Sequence, residues 1–322
     1  MDRYLITGFS GFVSAHFLEF LGKQFEKSVV MGIDIHEPSI NLHQYEQVQC
    51  SFIKLDLLDA NAMRELLISY KPNYILHLAS FSSVAFSWQQ PVSAIVNNLN
   101  IFLNLVDQVR LLEIPCRILS VGSSEEYGKV EAKDMPLVET FRVNPISPYA
   151  VARVSQEQLS KVYSDGYGLD IIMTRSFNHI GPGQTEKFVI PAFVNKIQQA
   201  RTNGLKEIQV GRTDIYRDFV DVRDVVRAYY LLFKGGRKSE IYNICSGKGL
   251  TLSDILDKLM TKMGVKLEIK TDAQLVRPSD NEIIIGSYQK LSGELGWHPE
   301  ISLDQSLDDI IRYWETKSIT TT

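Results

Sequence analysis

Apolar runs of strand length alternate with segments of helical period over the first half of the chain. Tyr4-Leu5-Ile6 forms the centre of a short apolar run over 3–7, and after a glycine-containing turn Phe17, Leu18 and Leu21 recur at helical spacing. Further strands are expected over 28–35, 51–55, 73–78, 116–121 and 170–174, with helices over 61–70 and 91–112. Another helix opens at Pro148, because proline suits the first helical position. Strands that are apolar throughout are buried on both faces, and their alternation with helices predicts an α/β fold of Rossmann type. Its core is a doubly wound parallel sheet. Past residue 175 the alternation loosens into helical stretches near 190–202, 222–233 and 252–262, with short strand signals near Ile208 and Ile241. The expected division is a dinucleotide-binding domain over 1–175 and a smaller domain over 176–322 that mainly binds substrate. The polar tail after Trp314 is expected to fray.

Charge and composition narrow the classes of function. A net charge of −4 gives no electrostatic case for nucleic acid or an anionic membrane. No apolar run reaches the length of a membrane span. The chain enters a strand almost at once, which leaves no room for a signal peptide. Cys50, Cys116 and Cys245 are scattered and odd in number, as expected of reduced thiols in a cytoplasmic protein. The six histidines show no metal-ligand spacing, so no metal is expected.

In an open parallel sheet, ligands sit beyond the carboxyl ends of the strands. Gly8, Asp34, Ala79 and Ser123 all fall at such ends. In the turn Gly8-Phe9-Ser10-Gly11-Phe12-Val13-Ser14, glycines let the backbone approach a pyrophosphate, and the following helix offers free N–H groups and a positive dipole. Asp34 would accept hydrogen bonds from the adenosine ribose and repel a 2′-phosphate. Residues 35–42 contain no Arg or Lys to hold that phosphate, so NADH is favoured, with NADPH possible. The plain alternative for Asp34 is a solvated acid at a strand end. Asp56 and Leu57 follow the third strand and Leu78, Ala79 and Ser80 the fourth. Together with Ser10, Gly11, Phe12, Val13, Asn98, Tyr149 and Arg153 they make up the expected cofactor contacts.

Tyr149 and Arg153 are four residues apart and share a helix face, so a phenol and a fixed cation stand side by side. The cation favours the phenolate, which equips the tyrosine for proton transfer. Taken alone, the pair reads first as a surface Tyr/Arg contact on an amphipathic helix, and its weight comes from the rest of the chain.

Thr7-Gly8-x-x-Gly11, Asp34, His77-Leu78-Ala79, Ser123 and Tyr149-x-x-x-Arg153 resemble the extended short-chain dehydrogenase/reductases that act on nucleotide sugars. Longer strings resemble one group among them, the GDP-4-keto-6-deoxy-D-mannose reductases. These strings are 122–128 (GSSEEYG), 177–184 (FNHIGPGQ), 217–224 (RDFVDVRD) and 242–247 (YNICSG). The resemblance implies that Tyr149 donates a proton to the substrate 4-keto oxygen, that Ser123 is the second donor, and that a nicotinamide cofactor supplies hydride to C4. It implies that Ser124, Asn178 and Val189 contact substrate, that Arg217 and Arg277 hold its diphosphate, and that Asn98 helps order the active-site helix. His179 is expected to be a packed loop residue. Three departures stand out. Arg153 replaces the family's lysine, which puts the rate in question. Ser14 replaces the third glycine, and its added Cβ and hydroxyl must fit where helix and strand pack closely, which leaves room for weaker cofactor binding. Ile101-Phe102 replaces a Gly-Thr pair.

The expected activity is reduction of a nucleotide-linked 4-keto-6-deoxyhexose, best matched by GDP-4-keto-6-deoxymannose to GDP-D-rhamnose, in a homodimer. A 4,6-dehydratase or 4-epimerase is the alternative, since Ser123-Ser124-Glu125 also resembles a dehydratase triplet whose Glu is a general base. The third reading is a non-catalytic regulator that binds a dinucleotide or nucleotide sugar.

Overall fold

A computed structural model describes residues 1–275 and 281–320. The first half alternates as expected: β1 (Asp2–Thr7), α1 (Phe12–Gly22), β2 (Ser28–Asp34), β3 (Val48–Lys54), α2 (Ala60–Tyr70), β4 (Tyr74–His77), α3 (Val84–Gln89), α4 (Pro91–Leu111), β5 (Arg117–Ser123), α5 (Pro148–Tyr167) and β6 (Asp170–Ser176). Then come β7 (Asn178–Ile180), α6 (Val189–Asn203), β8 (Glu207–Val210), β9 (Tyr216–Asp221), α7 (Val222–Gly235), β10 (Ile241–Ile244), β11 (Gly249–Thr251) and α8 (Leu252–Lys262). The last elements are β12 (Glu268–Thr271), β13 (Ile283–Ile284), α9 (Gln289–Leu295) and α10 (Leu303–Thr320).

Seven parallel strands form the central sheet in the order β3-β2-β1-β4-β5-β6-β10. The order reverses between β1 and β4, and ligand crevices open at such reversals. Neighbouring residues of β1 serve opposite layers. Tyr4 and Ile6 join Phe17, Leu18, Tyr229 and Leu232 of α1 and α7. Leu5 joins Leu66, Phe102, Leu105 and Ile118 beneath α2 and α4. Segments on both sides of residue 176 build this layer, since β10 closes the sheet and α7 lies on its face. A separate core forms from Phe193, Ile197, Ile255, Leu259, Leu307 and Ile310 on α6, α8 and α10.

Several boundaries differ from expectation. β3 starts at Val48, where Val48 pairs with Ser28. α3 and a small sheet of β11, β9 and β13, with β7 also on β9, carry no clear local period. The stretch after Trp314 continues α10 to Thr320, because Leu307, Ile310, Ile311 and Trp314 give that helix a buried stripe. Among the described residues, no helix is long and apolar enough to cross a membrane.

α5 carries Tyr149 and has strong end signals. Ser147 Oγ accepts the Ala150 N–H at 3.1 Å, Pro148 opens the first turn, and Gly168 closes the helix at φ 81°.

Candidate active site

The turn after β1 is locked to the end of β4. The Leu78 N–H donates to Thr7 O and the Ala79 N–H to Thr7 Oγ1, both at 3.2 Å. Gly8 has φ 69°, and a Cβ there would stand 2.7 Å from the Ala79 nitrogen. Gly11 forms the N-cap of α1 without a side-chain cap, leaving the first-turn N–H groups of Phe12 and Val13 to a ligand. Ser14 is buried and its hydroxyl donates to Gly8 O at 3.0 Å. A serine therefore fits where the resemblance expects glycine and tightens the turn, so the expected weakening has no steric basis here.

Asp34 stands against the same turn. Its Oδ2 accepts the Ser10 N–H and its Oδ1 the His36 N–H, each at 3.0 Å, and Ser10 Oγ bonds to His36 O. Asp56 is exposed and caps the Leu58 N–H, whereas the Leu57 side chain is buried in the core, so only its backbone could face a ligand. Ser80 Oγ is buried without a hydrogen-bond partner at the end of β4. That orphaned hydroxyl, the glycine turn and the anchored Asp34 fit a dinucleotide. Asn98 is buried and clasps the Phe81 backbone, accepting its N–H at 2.8 Å and donating to its carbonyl at 3.4 Å. This corrects one expectation: Asn98 orders the loop after β4, and none of its hydrogen bonds reaches α5.

Ser123 and Tyr149 reach the same end of the sheet. Ser123 ends β5, its Oγ accepts the Glu125 N–H at 3.2 Å, and its own N–H donates to Glu126 Oε1 at 2.7 Å. Ser124, which is buried, and Glu125, which is half-buried, open the short 3-10 turn that follows, and α5 packs on that turn. Tyr149 is 7% exposed, and Arg153 Nε donates to its hydroxyl at 3.3 Å. Arg153 Nη1 donates to Val121 O at 3.2 Å, which ties α5 to the end of β5.

Glu126 is buried beneath Ser123. Arg175 makes a paired contact to Glu157 at 2.8 and 2.9 Å and lies 3.8 Å from Glu126 Oε2. Burial, and then the neighbouring Glu157, push the Glu126 carboxyl well above the usual range, so it keeps its proton to higher pH than a free carboxyl does. A value raised in the folded state stabilises the fold at low pH, and that contribution is lost as pH rises through the raised value. Glu126→Gln keeps the acceptor for Ser123 and removes the proton. It should melt near wild type at about pH 5 and above wild type at about pH 9 in scanning calorimetry. Parallel melting curves would mean that Glu126 carries no such proton.

On the substrate side, Asn178 Nδ2 donates to Asp218 O at 3.1 Å. The Asp218 carboxylate accepts from Ser246 N and Oγ, Gly247 N and Gly286 N. Burial pushes Asp218 up to about 6 against the pull of these donors. Arg217 is buried, and its Nη1 donates to the carbonyls of Tyr216 and Asn281 at 2.8 and 2.9 Å. Val189 opens α6 and packs on the second core. His179 is pushed down to about 4 by burial, in keeping with a packed neutral ring. Arg277 lies outside the described residues. Neither Gln156, which contacts Arg153, nor Glu126 carried an expected role. Their signals were position: Gln156 lies three residues beyond Arg153 on the same helix face.

A glycine turn suited to a dinucleotide at the end of β1, with a serine and a Tyr–cation pair at the end of β5 two strands away, fits an extended short-chain dehydrogenase/reductase enzyme. The chain belongs, more narrowly, to the GDP-mannose 4,6 dehydratase family, whose model matches residues 5–310. It is 30% identical to a GDP-6-deoxy-D-mannose reductase of Pseudomonas aeruginosa, with 98% of each chain covered. It is 26% identical to a GDP-mannose 4,6-dehydratase of Yersinia enterocolitica, covering 97% of this chain and 93% of that one. The structure of RMD from Pseudomonas aeruginosa complexed with NADPH superposes with a TM-score of 0.85 at 29% identity, covering 98% of this chain and all of that one. A Thermus thermophilus UDP-glucose 4-epimerase complexed with NAD gives 0.83 at 26% identity, covering 97% and 99%. The cofactor is a nicotinamide dinucleotide, and the substrates of this family are nucleotide sugars.

Proposed function

We propose that this enzyme reduces the 4-keto group of a nucleotide-linked 4-keto-6-deoxyhexose, with GDP-4-keto-6-deoxymannose as substrate and GDP-D-rhamnose as product. The observation that carries the reading is the buried Arg153 Nε–Tyr149 hydroxyl contact at 3.3 Å, at the sheet end that also holds Ser123. A carbonyl that becomes an alkoxide needs a proton and a second hydrogen-bond donor. Tyr149 gives the proton to the 4-oxygen, Ser123 donates to the same oxygen, and Arg153 steadies the phenolate left behind. When bound, a nicotinamide dinucleotide supplies hydride to C4. Gly8, Gly11, Phe12 and Val13 hold its pyrophosphate, Asp34 its ribose, and Leu78, Ala79 and Ser80 the strand-end side of the cleft. Ser124, Asn178 and Val189 line the sugar nucleotide, with Arg217 toward its diphosphate; the same role is expected of Arg277, which lies outside the described residues.

A dehydratase reading is favoured by one feature, the family match joined to Glu125, whose N–H holds Ser123 Oγ. The two readings differ in whether cofactor is consumed. The deciding assay is oxidation of NADH and NADPH at 340 nm with freshly made GDP-4-keto-6-deoxymannose, the product identified by NMR. Turnover to GDP-D-rhamnose supports the reductase. Tightly retained cofactor with dehydration of GDP-mannose replaces it with the dehydratase.

Asp34 argues for NADH over NADPH. Removing a charged acceptor from the ribose hydroxyls costs about 1.5–3 kcal/mol, so Asp34→Ala should weaken NADH binding about tenfold or more and narrow the preference over NADPH. Unchanged affinity for both would place Asp34 away from the ribose. The proposal includes a cytoplasmic homodimer through α4 and α5. Exposed Val92 and Val96 lie one turn apart on α4, and Val151 and Val162 are exposed on α5, which packs beside it.

A further inference from the structure

Tyr149, Arg153, Gln156 and Ser160 stand at i, i+4, i+7 and i+11 of α5, a single stripe of one helix face. All four are buried. The stripe faces β5 and ends in a closed set of hydrogen bonds. Arg153 Nη1 donates to Gln156 Oε1 at 2.7 Å and to Val121 O at 3.2 Å, while Nε of the same guanidinium donates to Tyr149 at 3.3 Å. Gln156 Nε2 in turn donates to Ser120 Oγ at 2.9 Å and to Val121 O at 3.4 Å, and Ser160 Oγ lies 3.0 Å from Ser120 Oγ. The orientation of the Gln156 amide follows from its surroundings. Turned over, it would aim two donors at a guanidinium that has only donors.

We infer that Gln156 is a positioning residue for Arg153: with Val121 O it pins one end of the guanidinium so that the Nε edge meets the Tyr149 hydroxyl. The inference rests on the ketoreductase reading only for the step it serves. A guanidinium is planar and its donors are fixed relative to one another. Anchoring Nη1 at two acceptors therefore sets where Nε–H points. A lysine at 153 has one nitrogen in place of the two used here, and that nitrogen would have to stand both beside Tyr149 and between Gln156 and Val121. The site is thus built around Arg and Gln together, and a positive charge alone is insufficient.

The test is a double-mutant cycle on the full-length enzyme with GDP-4-keto-6-deoxymannose. Arg153→Lys should lower kcat by at least about tenfold, Gln156→Leu by about threefold to tenfold, and both should change KM by less than about threefold. The double variant should be no slower than Arg153→Lys within about twofold, because Gln156 acts only through Arg153. Losses that multiply, or a loss confined to KM, would make Gln156 a structural residue and overturn the inference. Ser120→Ala releases the Gln156 amide without touching Arg153. It should move kcat in the same direction by a smaller factor, and it serves if Gln156→Leu does not fold.

A second readout needs no sugar. The Arg153 Nε–H signal in 1H–15N spectra, assigned by its loss in Arg153→Lys, should be protected from exchange and should shift in Tyr149→Phe. In Gln156→Leu, or in Ser120→Ala, that protection should fall and the response to Tyr149→Phe should weaken. An unaltered signal would overturn the inference. If the signal behaves as expected but no 4-keto sugar is turned over, the ketoreductase reading fails and the positioning of Arg153 by Gln156 stands.

Discussion

Tyr149→Phe should abolish most reduction, with kcat lower by about 100-fold to 10,000-fold, the range that a positioned proton donor contributes. The substitution removes one hydroxyl from a side chain that is 7% exposed and leaves the ring with Arg153 Cζ 5.3 Å from its centre. Folding and NADH binding should therefore change little. On the proposed mechanism, what is lost is the proton for the 4-oxygen and the link through the phenol to Arg153, whose Nε stands 3.3 Å from it. Steady-state turnover at 340 nm, with NADH binding followed by fluorescence, separates the two effects. Retained turnover would remove Tyr149 as donor. Loss of NADH affinity and turnover together would show that the variant has disturbed the pocket.

Gly8→Ala should cost the enzyme both cofactor and stability. Its backbone sits at φ 69°, where a residue with a side chain loses about 1–3 kcal/mol. The added carbon would also stand 2.7 Å from the Ala79 nitrogen and 2.9 Å from its Cα. These are backbone atoms held to Thr7 by two hydrogen bonds, so neither rotation nor a flexible neighbour can relieve the contact. The ends of β1 and β4 must separate, and the first turn of α1 moves with them. The expected result is a melting temperature lower by several degrees and NADH affinity weaker by about 30-fold or more. Wild-type affinity in Gly8→Ala would mean that the dinucleotide does not use this turn.

Much of the arrangement proposed as the site was legible because it depends on short-range chemistry. Apolar strands followed by helices announced the parallel sheet, and the strand ends carried Gly8, Asp34, Ala79 and Ser123. Proline at 148 and a four-residue spacing placed Tyr149 and Arg153 on one helix face before any tertiary contact was known. Where reading failed, a partner lay far along the chain. Asn98 faces Phe81 across a loop, the small sheet around β9 joins segments with no shared period, and the acceptor of Ser14, Gly8 O, appears only once the turn is folded.

The sequence by itself determined the order of strands and helices, the dinucleotide turn and the Tyr–cation pair, because propensity, capping and helical spacing act within a few residues. Tertiary structure alone decided how Arg153 is aimed, since Val121 lies 32 residues away and Ser120 36 residues from Gln156. It also decided that Glu126 lies buried beside the Arg175–Glu157 pair beneath Ser123. Those arrangements depend on packing α5 against β5 and β6, and low-dielectric burial makes each of their hydrogen bonds costly to lose.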